Sequence, residues 1–152
     1  MRDKIVTDYL ILITSDGKKG GYQIYKDRIS ENMWPIYRST PQLLNVLEGR
    51  KVIFYIAGKD EFAQHFVASA EIEKLIHNKD LQSDPNQEFR QVLFYVQFKN
   101  LKTFLNPMKI KDHINNLSFI DKERRKIYGL YFQGGVCKIN QQSYDYIVNG
   151  SN

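Results

Sequence analysis

Cysteine occurs once in this sequence, at Cys137, so an intrachain disulfide is impossible and the disulfide-stapled class is excluded. Histidine occurs three times, at 65, 77 and 113, without the spacing of a zinc site, and no metal or other cofactor is expected. Phosphate-cradling loops are missing too. Gly17-Lys18-Lys19-Gly20-Gly21 lacks the separation of a triphosphate-binding loop and reads as a turn, and Ser15 has no nucleophile-elbow context. Long apolar runs are absent: the longest, Val52 to Ala57, is far too short for a hydrocarbon core of about 30 Å. The N-terminus lacks the basic, apolar and small-residue order of a secretion signal, so the expectation is a cytoplasmic protein with no membrane partner.

What the chain does hold is enough apolar material for a core. Of its 152 residues, 42% are hydrophobic and 13% aromatic, which fits one domain spanning 1–152 and excludes disorder as the main state. The formal charge of +5 is localised. Residues 99–126 carry eight basic side chains against three acidic ones, and the rest of the chain balances at fourteen of each. Alone, such a run more often marks a solvated face; beside a suitable pocket it is where a polyanion would release counterions.

Tyr9 to Ile13, apolar on both faces, predicts a central strand that stops at Thr14-Ser15-Asp16-Gly17. Gly20 to Asn32 has no clean period and reads as a loop with room for one short helix. Thr40-Pro41 reads as the start of a short amphipathic helix with Leu43, Leu44 and Leu47 on one face, ended by Gly49. Alternation over 52–57 and again over 66–73, with Gly58-Lys59-Asp60 between, predicts a hairpin. Residues 77–88 read as an exposed connection. Val92 to Phe98 predicts the longest strand, interrupted at Asn106-Pro107 and followed by a weakly helical basic region. Gly134-Gly135 leads into a last strand over 136–139, and Asn140 caps a closing helix with Tyr144, Ile147 and Val148 in one stripe. Five or six strands without a βαβ rhythm give an α+β class, a small curled β-barrel flanked by short helices.

Catalytic signals are thin. Glu71 and Glu73 point the same way on a strand, as paired carboxylates would, and equally as the wet face of an edge strand would. His65 sits near a hairpin as a surface histidine does, and Cys137 reads as a small buried hydrophobe, although Lys138 beside it would favour a thiolate. Trp34 lies in the interleaved polar and aromatic stretch 31–38. It either plugs one end of the barrel or walls a hollow, where an aromatic ring gives an unstacked base roughly 1–3 kcal/mol.

The order of these features resembles the EVE family of the PUA-like superfold, a group that includes the YTH readers of methylated adenine. The resemblance covers nearly the whole chain. It rests on the first strand ending in Thr14-Ser15, on Trp34, on Gly49 before Val52-Ile53-Phe54-Tyr55-Ile56, on Phe66-Val67-Ala68-Ser69-Ala70-Glu71-Ile72, and on Gly135-Val136-Cys137-Lys138-Ile139 ahead of a terminal helix. It implies a pocket for one flipped or unpaired modified base, with Thr14 and Ser15 offering groups to the base edge, Trp34 as an aromatic wall and Asn32 as a hydrogen-bonding group. Tyr37, Tyr55 and Tyr131 are candidate further walls because they fall near the matching segments. Phosphates would meet Lys109, Lys111, Arg124, Arg125 and Lys126. Three departures stand out: Trp34-Pro35 where the family often has Trp-Gly, Gly49-Arg50 where it often has Gly-Asp, and no aromatic over 77–88, where methyladenine readers place a second tryptophan.

The expected function is therefore recognition of a modified base in RNA or DNA, without catalysis and with no metal. Two alternatives stay open: an amidohydrolase of modified nucleosides like one in the related ASCH group, using Glu71 or Glu73, and a protein-interaction domain with a plugged pocket.

Overall fold

Strand β1 (Tyr9–Thr14) sends Leu10 and Leu12 into one apolar cluster and Ile11 and Ile13 into another, and is buried on both faces as its unbroken apolar run requires. The computed structural model describes residues 9–15, 19–77 and 91–152. After β1 come helix α1 (Gly21–Glu31), β2 (Trp34–Tyr37), β3 (Lys51–Ile56), β4 (His65–His77), β5 (Val92–Lys109), β6 (Val136–Ile139) and helix α2 (Gln141–Ser151). Short 3-10 turns occupy Leu43–Asn45, Ile110–Asp112 and Ile114–Asn116, and a longer 3-10 stretch, kinked at Ile127, runs over Lys122–Phe132.

The strands form one sheet in the order β2-β5-β4-β3-β1-β6. Only β1 and β3 run parallel; the other neighbours are antiparallel. Irregularities between Phe54 and Tyr55, between Phe66 and Ala68 and between Ser69 and Glu71 add local twist. The result is a curled half-barrel in an α+β protein, as expected, with a seam between its end strands β2 and β6. One cluster gathers Leu12, Phe54, Ala70, Phe98 and Trp34 with Tyr25 of α1, and the other gathers Ile53, Tyr55, Phe66, Phe132 and Ile147, with residues of the 3-10 turns and α2.

Several expectations are corrected. The stretch over 20–32, read as a loop with room for one short helix, is mostly the 11-residue helix α1, stabilised by tertiary contact of Tyr25 and Ile29 with the core rather than by a strong periodicity. The helix expected after Thr40-Pro41 is only the turn Leu43–Asn45: Leu44 is 88% exposed, and the Thr40 hydroxyl accepts from the Tyr37 backbone N–H at 3.0 Å instead of capping a helix. Trp34, read within the irregular stretch 31–38, lies on the regular strand β2. Asn106-Pro107 does not stop β5, because the ladder jumps from Ala68 opposite Thr103 to Phe66 opposite Met108 and so accommodates the proline in a bulge. Gly150, a residue type that suits a position just past a helix end, lies within α2. The exposed connection expected over 77–88 falls, apart from His77, outside the described residues.

The other elements stand where the periodicity put them. The 52–57 and 66–73 strands pair antiparallel, β5 is the longest strand at 18 residues, and the Asn140 side chain accepts from the Ser143 N–H at 2.9 Å at the start of α2.

Candidate functional site

An open cleft of about 810 Å³ occupies the seam, a volume within the range of ligand sites. One side is β2 from Trp34 to Tyr37; the other is the end of β1 with the Gly134-Gly135 turn that starts β6. Tyr55 lines it from β3, Gln64 from the β3–β4 loop, Tyr128 and Phe132 from the 3-10 stretch, and Arg28 from the last turn of α1. The Gly134-Gly135 turn needs its glycines: both have φ above 90°, and a Cβ on Gly134 would stand 2.5 Å from Pro41.

The aromatic groups are layered. Tyr55 stacks on Phe132 with ring centres 4.2 Å apart, and burial followed by the neighbouring Tyr128 hydroxyl raises the Tyr55 pKa above its ordinary value. The Tyr128 hydroxyl donates to the Gln64 side-chain oxygen, and burial raises its pKa as well. Tyr37 is half-buried at the rim. Arg28 places its guanidinium 4.9 Å from the centre of the Trp34 ring; burial lowers its pKa, while the neighbouring Tyr37 acts in the opposite direction.

Thr14, Ser15, Trp34, Tyr37 and Tyr55 thus meet in one cleft, five of the seven residues expected there. Their individual parts differ from expectation. The Thr14 hydroxyl donates to the Gly21 carbonyl at 2.7 Å and the Thr14 carbonyl accepts from Ala57 at 2.8 Å, so this residue chiefly ties β1 to α1 and the β3 end. Ser15 is exposed at the rim. Trp34 is 2% exposed and packs on Phe54 at 5.1 Å and edge-on to Phe98 at 6.1 Å, so it forms the floor of the cleft and part of the core at once.

Asn32 and Tyr131 are not in the cleft. Asn32 closes α1 in the left-handed conformation, and its side chain accepts from the Phe98 N–H at 2.8 Å, anchoring the helix end to β5. Tyr131 projects away to accept from the Asp121 N–H at 2.9 Å beside Phe119. Short-range sequence proximity to the right segments did not determine which way either side chain turned.

The carboxylates lie elsewhere as well. Glu71 sits on β4, an interior strand rather than an edge, 3.6 Å from Lys99, and Glu73 is exposed. Cys137 is buried in the core and desolvation pushes its thiol up to about 12, overriding any pull from Lys138. His65 is half-buried, with Nδ1 2.8 Å from the Ala63 carbonyl. Among the described residues lining the cleft there is no carboxylate, histidine or lysine.

The basic segment adjoins the cleft through the chain itself. Lys122, Arg124, Arg125 and Lys126 lie on the same 3-10 stretch that delivers Tyr128 and Phe132 to the wall. The Gln64 carbonyl accepts from the Ile110 N–H at 3.0 Å, which sets exposed Lys109 and Lys111 on either side of that contact. Arg124 and Lys126 are exposed; Arg125 is half-buried, its Nε without a hydrogen-bond partner. Gln64, Tyr128, Phe132 and Arg28 were invisible to sequence reasoning, since the first three reach the cleft across long chain separations and Arg28 lies on the helix that read as a loop.

No protein-family model matches the chain, and no curated protein matches it by sequence. Solved structures do. The N-terminal domain of Staphylothermus marinus McrB superposes with a TM-score of 0.59 at 13% identity, over 93% of each chain. Rpa0253 from Rhodopseudomonas palustris, solved by NMR, gives 0.59 at 10% identity over 96% of this chain and 93% of that one. At such identities the likeness is one of fold, and it agrees with the curled, helix-flanked sheet: the chain has a PUA-like fold.

Proposed function

We propose that this protein is a nucleic-acid-binding module whose cleft encloses one unpaired or flipped base, a modified one, while the basic segment holds the flanking phosphates. It is a reading of binding without turnover, in the cytoplasm and within the EVE family that the sequence resembles. The observation that carries it is the juxtaposition of the seam cleft with the basic stretch: one element, Lys122–Phe132, begins in cations and ends in aromatic cleft wall. A base inserted at the seam would lie among Tyr37, Tyr55 and Tyr128 over the Trp34 floor, and enclosure by rings offsets the few kcal/mol of unstacking.

The hydrolase alternative draws no support from the cleft, because Glu71 is engaged with Lys99 and neither it nor Glu73 lines the seam. The test is titration of the protein with single-stranded oligonucleotides, modified and unmodified, at two salt concentrations. With five phosphate contacts, a fourfold rise in salt weakens single-strand binding roughly hundredfold, and Tyr37→Ala weakens it about tenfold. Affinity indifferent to both changes overturns the reading.

A further inference from the structure

Among the described residues that line the cleft, Arg28 is the one charged side chain. Arg28 leans over the Trp34 ring in the cleft that Tyr37 also lines, yet no carboxylate lines the cleft among the described residues. The acids nearest in sequence are occupied or outside: Asp27 pairs with Lys19 at 3.2 Å and accepts from Gln23, and Glu31, exposed at the helix end, is not part of the lining. A guanidinium has five N–H donors and no acceptor, so an aromatic face leaves most of its donors unused. Arg28 is half-buried, and desolvation is the leading influence that lowers its pKa. Tyr37 adds to the same polarity: its hydroxyl lines the same cleft and has a proton to give.

We propose that Arg28 is the specificity-determining residue of the cleft, selecting a ligand edge that carries paired acceptors and no donor, as the O6/N7 edge of a 6-oxopurine base does. The assignment rests on the base-binding reading above. Adenine and cytosine present amino groups on the corresponding edge, which set donor against donor at Arg28 and Tyr37. Phosphate oxygens share the paired-acceptor chemistry, and the arms of the experiment separate the two sources.

The full-length chain is titrated with guanosine, adenosine and cytidine, and with their 5′-monophosphates, following the emission of Trp34, the sole tryptophan. Arg28→Gln and Arg28→Lys are titrated alongside, with thermal unfolding recorded for each. The expected result is guanosine binding about tenfold or more tighter than adenosine and cytidine, a preference lost in Arg28→Gln and reduced in Arg28→Lys, where charge remains without the planar fork. Equal affinity for the three nucleosides, or a preference that survives Arg28→Gln, overturns the proposal and leaves the base-binding reading standing. Affinity set by the 5′-phosphate and not by the base assigns Arg28 to phosphate and overturns the base-edge selection. The wild-type ranking decides these points even where a variant unfolds. If neither the nucleosides nor the single-stranded oligonucleotides bind at all, the base-binding reading fails and this assignment fails with it.

Discussion

Trp34 shows how one side chain can serve the core and the cleft together. With 2% of its surface exposed and Phe54 and Phe98 against it, its truncation opens a large void, so Trp34→Ala should cost about 3–5 kcal/mol by urea unfolding. Loss of ligand binding in that variant would therefore report unfolding as much as a lost contact, and Tyr37, half-buried at the rim, is the cleaner position to probe. Gly134 is the backbone counterpart. Its φ of 91° and the 2.5 Å approach of a built Cβ to Pro41 both oppose a side chain. Gly134→Ala should lower stability by more than about 1 kcal/mol, detected as a reduced urea midpoint with an unchanged slope.

At the scale of elements, α2 and the basic 3-10 stretch have different duties. The Asn140 carboxamide satisfies the Ser143 N–H at the start of α2, whose Ile147 is fully buried, so Asn140→Ala should destabilise the protein by about 0.5–2 kcal/mol. Ligand affinity of the folded fraction should not change, since α2 does not line the cleft. The opposite pattern is expected for the basic stretch. Replacing exposed Lys122, Arg124 and Lys126 with Gln should leave unfolding within about 0.5 kcal/mol of the parent, as surface changes do. The salt dependence of oligonucleotide binding, plotted as log affinity against log salt, should become shallower by about 0.7 for each phosphate contact removed.

The whole molecule carries an alkaline weakness. Burial holds the Cys137 thiol at about 12 against 9.0, burial followed by Tyr22 holds Tyr25 at about 12 against 10.0, and Tyr55 and Tyr144 are also raised, mainly by burial. In the unfolded chain these groups lose their protons first, so above their ordinary pKa values the unfolded state binds fewer protons and stability falls as pH rises. The onset is near pH 9 with Cys137, steepening above about pH 10 as the tyrosines join, at about 1.4 kcal/mol per pH unit for each group. Urea unfolding in steps from pH 8 to about pH 10.5 should show this decline, and Cys137→Ala should flatten the part between about pH 9 and 10.

Much of this protein was set by its amino-acid order alone. Apolar residues on both faces of 9–13 demand a strand covered on both sides, alternation in 52–57, 66–73 and 92–98 demands a sheet, and Asn140 ahead of an apolar stripe demands a capped helix; local sterics and the hydrophobic effect act within a few residues there. Tertiary structure decided what depends on distant partners. It made 21–31 a helix by giving Tyr25 and Ile29 a core to meet, and it left the Leu43–Asn45 segment a single turn because Leu43 packs on the core while no surface covers Leu44 and Leu47. It turned Asn32 and Tyr131 to structural bonds, and it brought Arg28, Gln64 and Tyr128 to one seam from three separate stretches of chain. The cleft exists because β2 and β6 end the sheet without pairing, a closure geometry that no short window of sequence contains.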